Sequence, residues 1–243
     1  MRSLVIWIRA FTEDLNYFFR KVARKIIRKI AETILRDLDL IGQIESAKSS
    51  AVFERRVFRE VPEFKTRKAL FKWALDQVEV QDGLFLEFGV YKGDSLNRLA
   101  SLRPNKIFYG FDSFEGLPET WTMGTRTGSF DVEGRLPPVR KNVRLIKGFF
   151  ENTLGGFIQN HNKELVSFVH VDCDLYSATR TIFQHIGLML QPGTVIVFDE
   201  YFNYSEWEEG EFKAFSEFVQ EKKVNFKYVG YIRTGSQVAV KIC

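Results

Sequence analysis

Six carboxylates stand at or just past the ends of short apolar runs: Glu87, Asp112, Asp172, Asp174, Asp199 and Glu200. They divide into two groups by chemistry. Glu87 and Asp112 accompany the glycine-rich stretch G-L-F-L-E-F-G-V-Y-K-G-D-S-L (83–96). Ionised carboxylates only accept hydrogen bonds, so beside such a turn they suit the hydroxyls of a ribose-like ligand. Asp172, Asp199 and Glu200 come from two runs expected to be neighbouring strands. Carboxylates brought together there repel unless protonated or bridged by a cation, and an all-oxygen set suits Mg²⁺.

The elements that must position these groups follow from periodicity. Leu84–Leu86 reads as a strand, Gly89 and Gly93 as a tight turn, and Leu96, Leu99, Ala100 and Leu102 as one helix face. Strand, glycine turn and helix N-terminus is where α/β sheets take nucleotide-like ligands. Further strands are expected over Lys106–Ser113, Val143–Phe150, Val166–Asp174 and Thr194–Asp199. Asn225–Ile232 and Gln237–Ile242 read as a closing hairpin. Helices are expected over Lys65–Val80, Glu151–His161, the segment through Ile182 and Leu190, and Glu208–Lys222. This alternation predicts an α/β fold, a Rossmann-like, mostly parallel seven-stranded sheet with helices on both faces. Every carboxylate above then falls at the carboxyl edge of that sheet. The loop of about 29 residues from Phe114 to Asn142 exceeds what a connection needs and reads as a lid. Trp121 within it, and Trp207, are candidates to stack on a ligand ring.

Residues 1–60 read as a helical extension and 61–243 as the α/β domain. Phe11, Leu15, Phe18, Val22, Ile26, Ile30 and Ile34 recur at helical spacing, with Arg20, Lys21, Arg24, Lys25, Arg28 and Lys29 opposite them. Residues 1–40 hold nine Lys/Arg against five Asp/Glu, which equals the whole net charge of +4. The α/β part is therefore near neutral, which argues against a nucleic-acid surface. The basic helix is expected to pack on protein, within a homo-oligomer or on its own domain, or to touch a membrane peripherally. Ile41–Val61 has poor periodicity and reads as a connector holding at most a short helix. Two cysteines, with no zinc spacing, fit a reducing, cytoplasmic compartment, with the inner membrane surface as the peripheral site.

Four motifs, L-E-F-G-V-Y-K-G-D-S-L, F-Y-G-F-D-S-F-E-G-L-P-E, V-D-C-D-L-Y-S-A-T and V-I-V-F-D-E-Y-F, resemble the macrocin O-methyltransferase (TylF/MycF-type) family of class I S-adenosylmethionine-dependent methyltransferases. The resemblance covers about residues 60–243. It implies a seven-stranded sheet with the last strand antiparallel. It implies S-adenosylmethionine at Glu87, Gly89, Gly93, Asp112 and Ser113, with Tyr91 and Ser95 of the same motif. It also implies Mg²⁺ on Asp172, Asp199 and Glu200, and methylation of a sugar or glycoside hydroxyl. Asp172, Asp174 and His170 are then the candidate bases; His170 shares a strand face with Asp172 because residues i and i+2 point the same way. Rival readings are a phenolic or catechol-like acceptor, an NAD-dependent dehydrogenase and a non-catalytic scaffold. Asp112 sits at a workable distance for the dehydrogenase, but the turn lacks a compact G-x-G-x-x-G.

Overall fold

The computed structural model describes the backbone of residues 2–121 and 125–243, with side chains for residues 17, 19–121 and 125–243. The side chains of Phe11, Leu15 and Phe18, read above as part of an apolar helix face, lie outside the described residues. So do three residues of the long loop, 122–124.

By compactness the chain divides into two units, residues 1–45 and 46–243. The first consists of helix α1 (Arg2–Ile34) and the start of α2 (Leu38–Val57). The second holds the rest of α2 and the whole α/β fold. Its elements are α3 (Arg67–Asp76), β1 (Leu84–Phe88), α4 (Asp94–Leu102), β2 (Phe108–Asp112), β3 (Val143–Lys147), α5 (Phe150–Asn160), β4 (Val166–Val171), α6 (Tyr176–Ile186), β5 (Val195–Phe198), α7 (Glu211–Lys222), β6 (Phe226–Tyr231) and β7 (Val238–Ile242). They build one seven-stranded sheet in the order β3-β2-β1-β4-β5-β7-β6. The pairs among β1 to β5 are parallel, and β7 runs antiparallel to both its neighbours. The expected fold class is the observed one.

Strands buried on both faces can be apolar throughout, and β1, β4, β5 and β7 are buried at every position. Alternation then sorts their side chains. Leu84, Leu86, Phe88, Val169, Val171, Ile196 and Phe198 face a core shared with α5, α6 and α7. Phe85, Phe168, Val195 and Val197 face a second core shared with α3 and α4. The same alternation sends Glu87, His170 and Asp199 toward that second side, where all three are fully buried.

Three local departures from the sequence reading have physical causes. Residues 38–57 form a 20-residue helix where a connector was expected. Its anchors are mostly polar, which hides them from an apolar-period search. Trp207 Nε1 donates to Ser49 Oγ (2.8 Å), the Asn203 amide to Ser50 Oγ (2.9 Å) and Tyr231 Oη to Glu54 Oε1 (3.0 Å). Phe53 and Phe58 enter the core beside them, against Trp207 and Tyr231. A buried Phe of this kind costs about 3–5 kcal/mol to truncate, so residues 46–60 hold firmly to the α/β fold. That is why the compact unit begins at Ser46, ahead of the boundary read at residue 61. Second, β4 ends at Val171, so Asp172 and Asp174 lie in the following loop, with Asp174 at φ +65°. Third, the helix read over Glu208–Lys222 is a 3-10 turn (Trp207–Glu209) and then α7, parted at Gly210.

Candidate functional site

The turn after β1 is built on close approach. Gly89, at φ +90°, passes so near the chain after β4 that a Cβ there would meet the Asp172 carbonyl oxygen at 1.7 Å. Only glycine fits. Gly93, at φ +81°, is the N-cap of α4. Asp112, ending the neighbouring strand, holds this turn in shape. Its Oδ2 accepts the amides of Val90 (2.8 Å) and Tyr91 (2.7 Å), and its Oδ1 accepts that of Phe114 (2.6 Å). Ser113 Oγ accepts the Glu115 amide (3.1 Å), shaping the start of the long loop.

A cavity of about 510 Å³ opens over this edge. Gly89, Tyr91, Ser95, Asp112 and Ser113 line one end, and Asp172, Asp174 and Glu200 the other. The long loop forms part of the wall through Leu117, Pro118, Trp121 and Phe130, as a lid would. Glu119 Oε1 accepts from Ser177 Oγ (2.5 Å) at the start of α6, and Phe130 meets the Tyr91 ring edge-on at 5.5 Å. Trp121 thus borders the cavity, whereas Trp207 is buried against Phe53. Stacking on a ligand is open to the first and closed to the second.

Glu87 lies under the turn, off the cavity wall. It accepts from Ser95 Oγ (3.0 Å) and shares a hydrogen bond with His170 Nδ1 (2.9 Å). Burial pushes its carboxyl well above the usual range, with the Ser95 hydrogen bond opposing. Burial likewise brings His170 down to about 4. His170 packs edge-on against Phe71 (4.9 Å) and points Nε2 toward Asp199 Oδ1 (3.6 Å). Asp199 Oδ2 takes an ion pair from Arg67 and a hydrogen bond from Gln237 Nε2 (3.2 Å).

Two sets of groups among the described residues bring ligand atoms within 4.8 Å of one another: His170, Asp172 and Asp199, and Asp172, Asp174 and Glu200. Asp172 is common to both, while Asp199 and Glu200 fall in different sets. The second set borders the cavity. Burial raises the carboxyls of Asp172 and Glu200, and brings Asp174 up to about 7 with Asp172 adding repulsion. Glu200 Oε2 is buried with no hydrogen-bond partner, as are Asp199 Oδ1 and His170 Nε2. Three crowded oxygen donors with an orphaned, buried oxygen fit a hard divalent cation, which would remove the repulsion.

Several residues escaped the sequence reading. Arg67, the first residue of α3, stands on the cavity wall and is the cation that the neighbouring acids feel. A signal was available: α3 runs into the start of β1, so its N-terminus must lie at the opposite, carboxyl edge. Gln237 reaches Asp199 from just before β7. Glu211 is buried at the start of α7, where Oε2 accepts the Glu200 amide (3.2 Å) and Oε1 has no partner. No motif marks it.

Residues 86–201 match a family model described as a methyltransferase domain. The matched segment runs from β1 to just past Glu200, leaving Arg67 and Gln237 outside. The 8-demethyl-8-(2,3-dimethoxy-alpha-L-rhamnosyl)-tetracenomycin-C 4'-O-methyltransferase of Streptomyces olivaceus is 28% identical over 145 residues, 49% of this chain and 53% of its own. The chain thus spans about half the length of that relative. Among solved structures, the calicheamicin methyltransferase CalS11 aligns with a TM-score of 0.55 at 21% identity, over 71% of this chain and 76% of that one. A second structure of CalS11, described as a TDP-rhamnose 3'-O-methyltransferase, gives 0.52 at 20% identity over 72% and 78%. The O-methyltransferase NovP gives 0.52 at 16% identity over 72% and 78%. Strand order, the antiparallel β7 and these likenesses make the fold the Rossmann-like one of methyltransferases.

Proposed function

We propose that the protein is an S-adenosylmethionine-dependent O-methyltransferase of the macrocin type, Mg²⁺-assisted, acting on a hydroxyl of a sugar or glycosylated acceptor. The observation that carries this reading is one cavity shared by a glycine turn at one end and a carboxylate set at the other. The tetracenomycin relative and CalS11, both described as methyltransferases of rhamnose hydroxyls, support a sugar acceptor.

Methyl transfer from a sulfonium is an in-line displacement: the acceptor oxygen bonds to the methyl carbon as the carbon–sulfur bond breaks. The protein's task is alignment of the three atoms and removal of the hydroxyl proton. The Gly89 turn, braced by Asp112, lets backbone approach the donor closely, with Tyr91, Ser95 and Ser113 beside it. Asp172 and Glu200, with Asp174 or Asp199, would hold Mg²⁺, whose Lewis acidity makes a bound hydroxyl more acidic. Among the candidate bases, Asp174 borders the cavity, where it could take the proton of an acceptor hydroxyl. Asp172 also borders the cavity. His170 is enclosed beneath it, so its role in this reading is positioning. Glu87 likewise positions the turn from below.

The test is transfer of labelled methyl from S-adenosylmethionine to a panel of nucleotide sugars, glycosides and catechols, with and without chelator. Label on a carbohydrate, lost on chelation, is the expected result. Label only on catechols would replace the sugar acceptor with a phenolic one. Calorimetric binding of NAD in place of S-adenosylmethionine would replace the reaction class.

A further inference from the structure

We propose that the α1 segment from Tyr17 to Ile34 is a docking surface for an anionic lipid bilayer. The argument is independent of the activity proposed above.

At 100° per residue, Val22, Ile26, Ile27, Ile30 and Ile34 fall within an arc of about 140°. All of them are exposed, Ile26 by 53%, Ile27 by 64% and Ile30 by 54%. Arg20, Lys21, Arg24, Lys25, Arg28 and Lys29 occupy the remainder of the circumference. Glu32 is the one acid among them, so residues 17–34 carry six positive charges against one negative. Glu32 accepts from Arg28 Nε (2.8 Å), one turn away.

Three physical points select the occupant. No helix among the described residues is long and apolar enough to cross a membrane, so a bilayer contact must be lateral. Arg20 and Lys29 stand on opposite flanks of the apolar arc. A second copy of the helix laid against the arc would therefore meet positive charge with positive charge on both sides, and like charges at such flanking positions oppose pairing. A bilayer with anionic headgroups meets the same arrangement favourably. The isoleucines enter the acyl boundary while the long Lys and Arg stems carry their charges up to the phosphates.

The experiment uses the full chain and sedimentation with extruded vesicles, either pure phosphatidylcholine or 7:3 phosphatidylcholine to phosphatidylglycerol. Partitioning should be at least about ten-fold stronger onto the anionic vesicles and fall sharply in 0.5 M NaCl. Ile26→Glu/Ile30→Glu and, separately, Lys21→Glu/Lys25→Glu should each weaken it about ten-fold or more. Circular dichroism checks that each variant keeps its helix; where the first does not, Ile26→Gln/Ile30→Gln replaces it. Equal partitioning onto both vesicle types, or none, would overturn the proposal. So would sedimentation velocity showing a dimer that Ile26→Glu/Ile30→Glu dissociates, with no vesicle binding by the parent chain. That outcome would make the face a subunit interface.

Discussion

His170 Nδ1 lies 2.9 Å from Glu87 Oε2, and both side chains are fully buried on the α3 side of the sheet. The pair belongs to a buried polar row, Glu87 on β1, His170 on β4 and Asp199 after β5, set directly beneath the cavity. Glu87 and His170 can serve the site by holding the turn and the acids above them, while Asp199 also stands within reach of Asp172.

Glu87 is therefore expected to act through stability. Glu87→Ala would leave Ser95 Oγ and His170 Nδ1 without a partner in the core, costing on the order of 2–4 kcal/mol. Glu87→Gln should cost less, because an amide can meet both groups. Thermal denaturation checks this. An unchanged melting temperature in Glu87→Ala, together with lost S-adenosylmethionine binding, would make Glu87 a ligand-facing group.

Asp112 is expected to show the reverse balance. Its three backbone contacts fix Val90, Tyr91 and Phe114 around the cavity. Asp112→Ala should weaken S-adenosylmethionine binding by about 100-fold, since a loosened turn must be reordered on binding and hydrogen bonds to charged groups are worth about 1.5–3 kcal/mol each. Calorimetry on the folded variant measures it. An affinity within about three-fold of the parent would refute a bracing role.

Gly89→Ala should prevent stable folding. The new methyl would overlap the Asp172 carbonyl, and the residue would need a positive φ. A destabilisation above about 4 kcal/mol is expected. A soluble variant with parental melting would mean that the strands can part at this point.

The acids also set a pH dependence in chelator-treated protein. Asp174 stands at about 7 in the fold and near about 3.9 when unfolded. The folded state therefore binds its proton more tightly. The resulting stability is fully present below about 4 and is lost as pH rises through about 7. His170, down to about 4, acts in the opposite sense below about 6.5, so the parent must be compared with Asp174→Asn. The parent should lose more melting temperature than the variant between pH 5 and 8, by on the order of 5 °C. Mg²⁺ should raise the parent's melting temperature more at pH 8 than at pH 5. No Mg²⁺ effect at either pH would sink the cation site.

The sheet, the glycine turn and six of the acids at its carboxyl edge were legible in the sequence. Apolar runs such as Leu84–Phe88 and Val166–Val171 suit strands buried on both faces, and alternation along them is a property of the chain. The sequence was silent where contacts are polar and distant. Ser49 and Ser50 anchor α2 through hydroxyls to residues over 150 positions away, a contact with no local period. Packing between layers settled that Glu87 and His170 lie beneath the cavity, that Asp172 joins Asp174 and Glu200 on its wall, and how closely Arg67 approaches them. Those outcomes depend on strand register, on where β4 gives way to its loop and on where a preceding helix begins. Side-chain direction is written along the chain; depth is fixed only when neighbouring layers close over it.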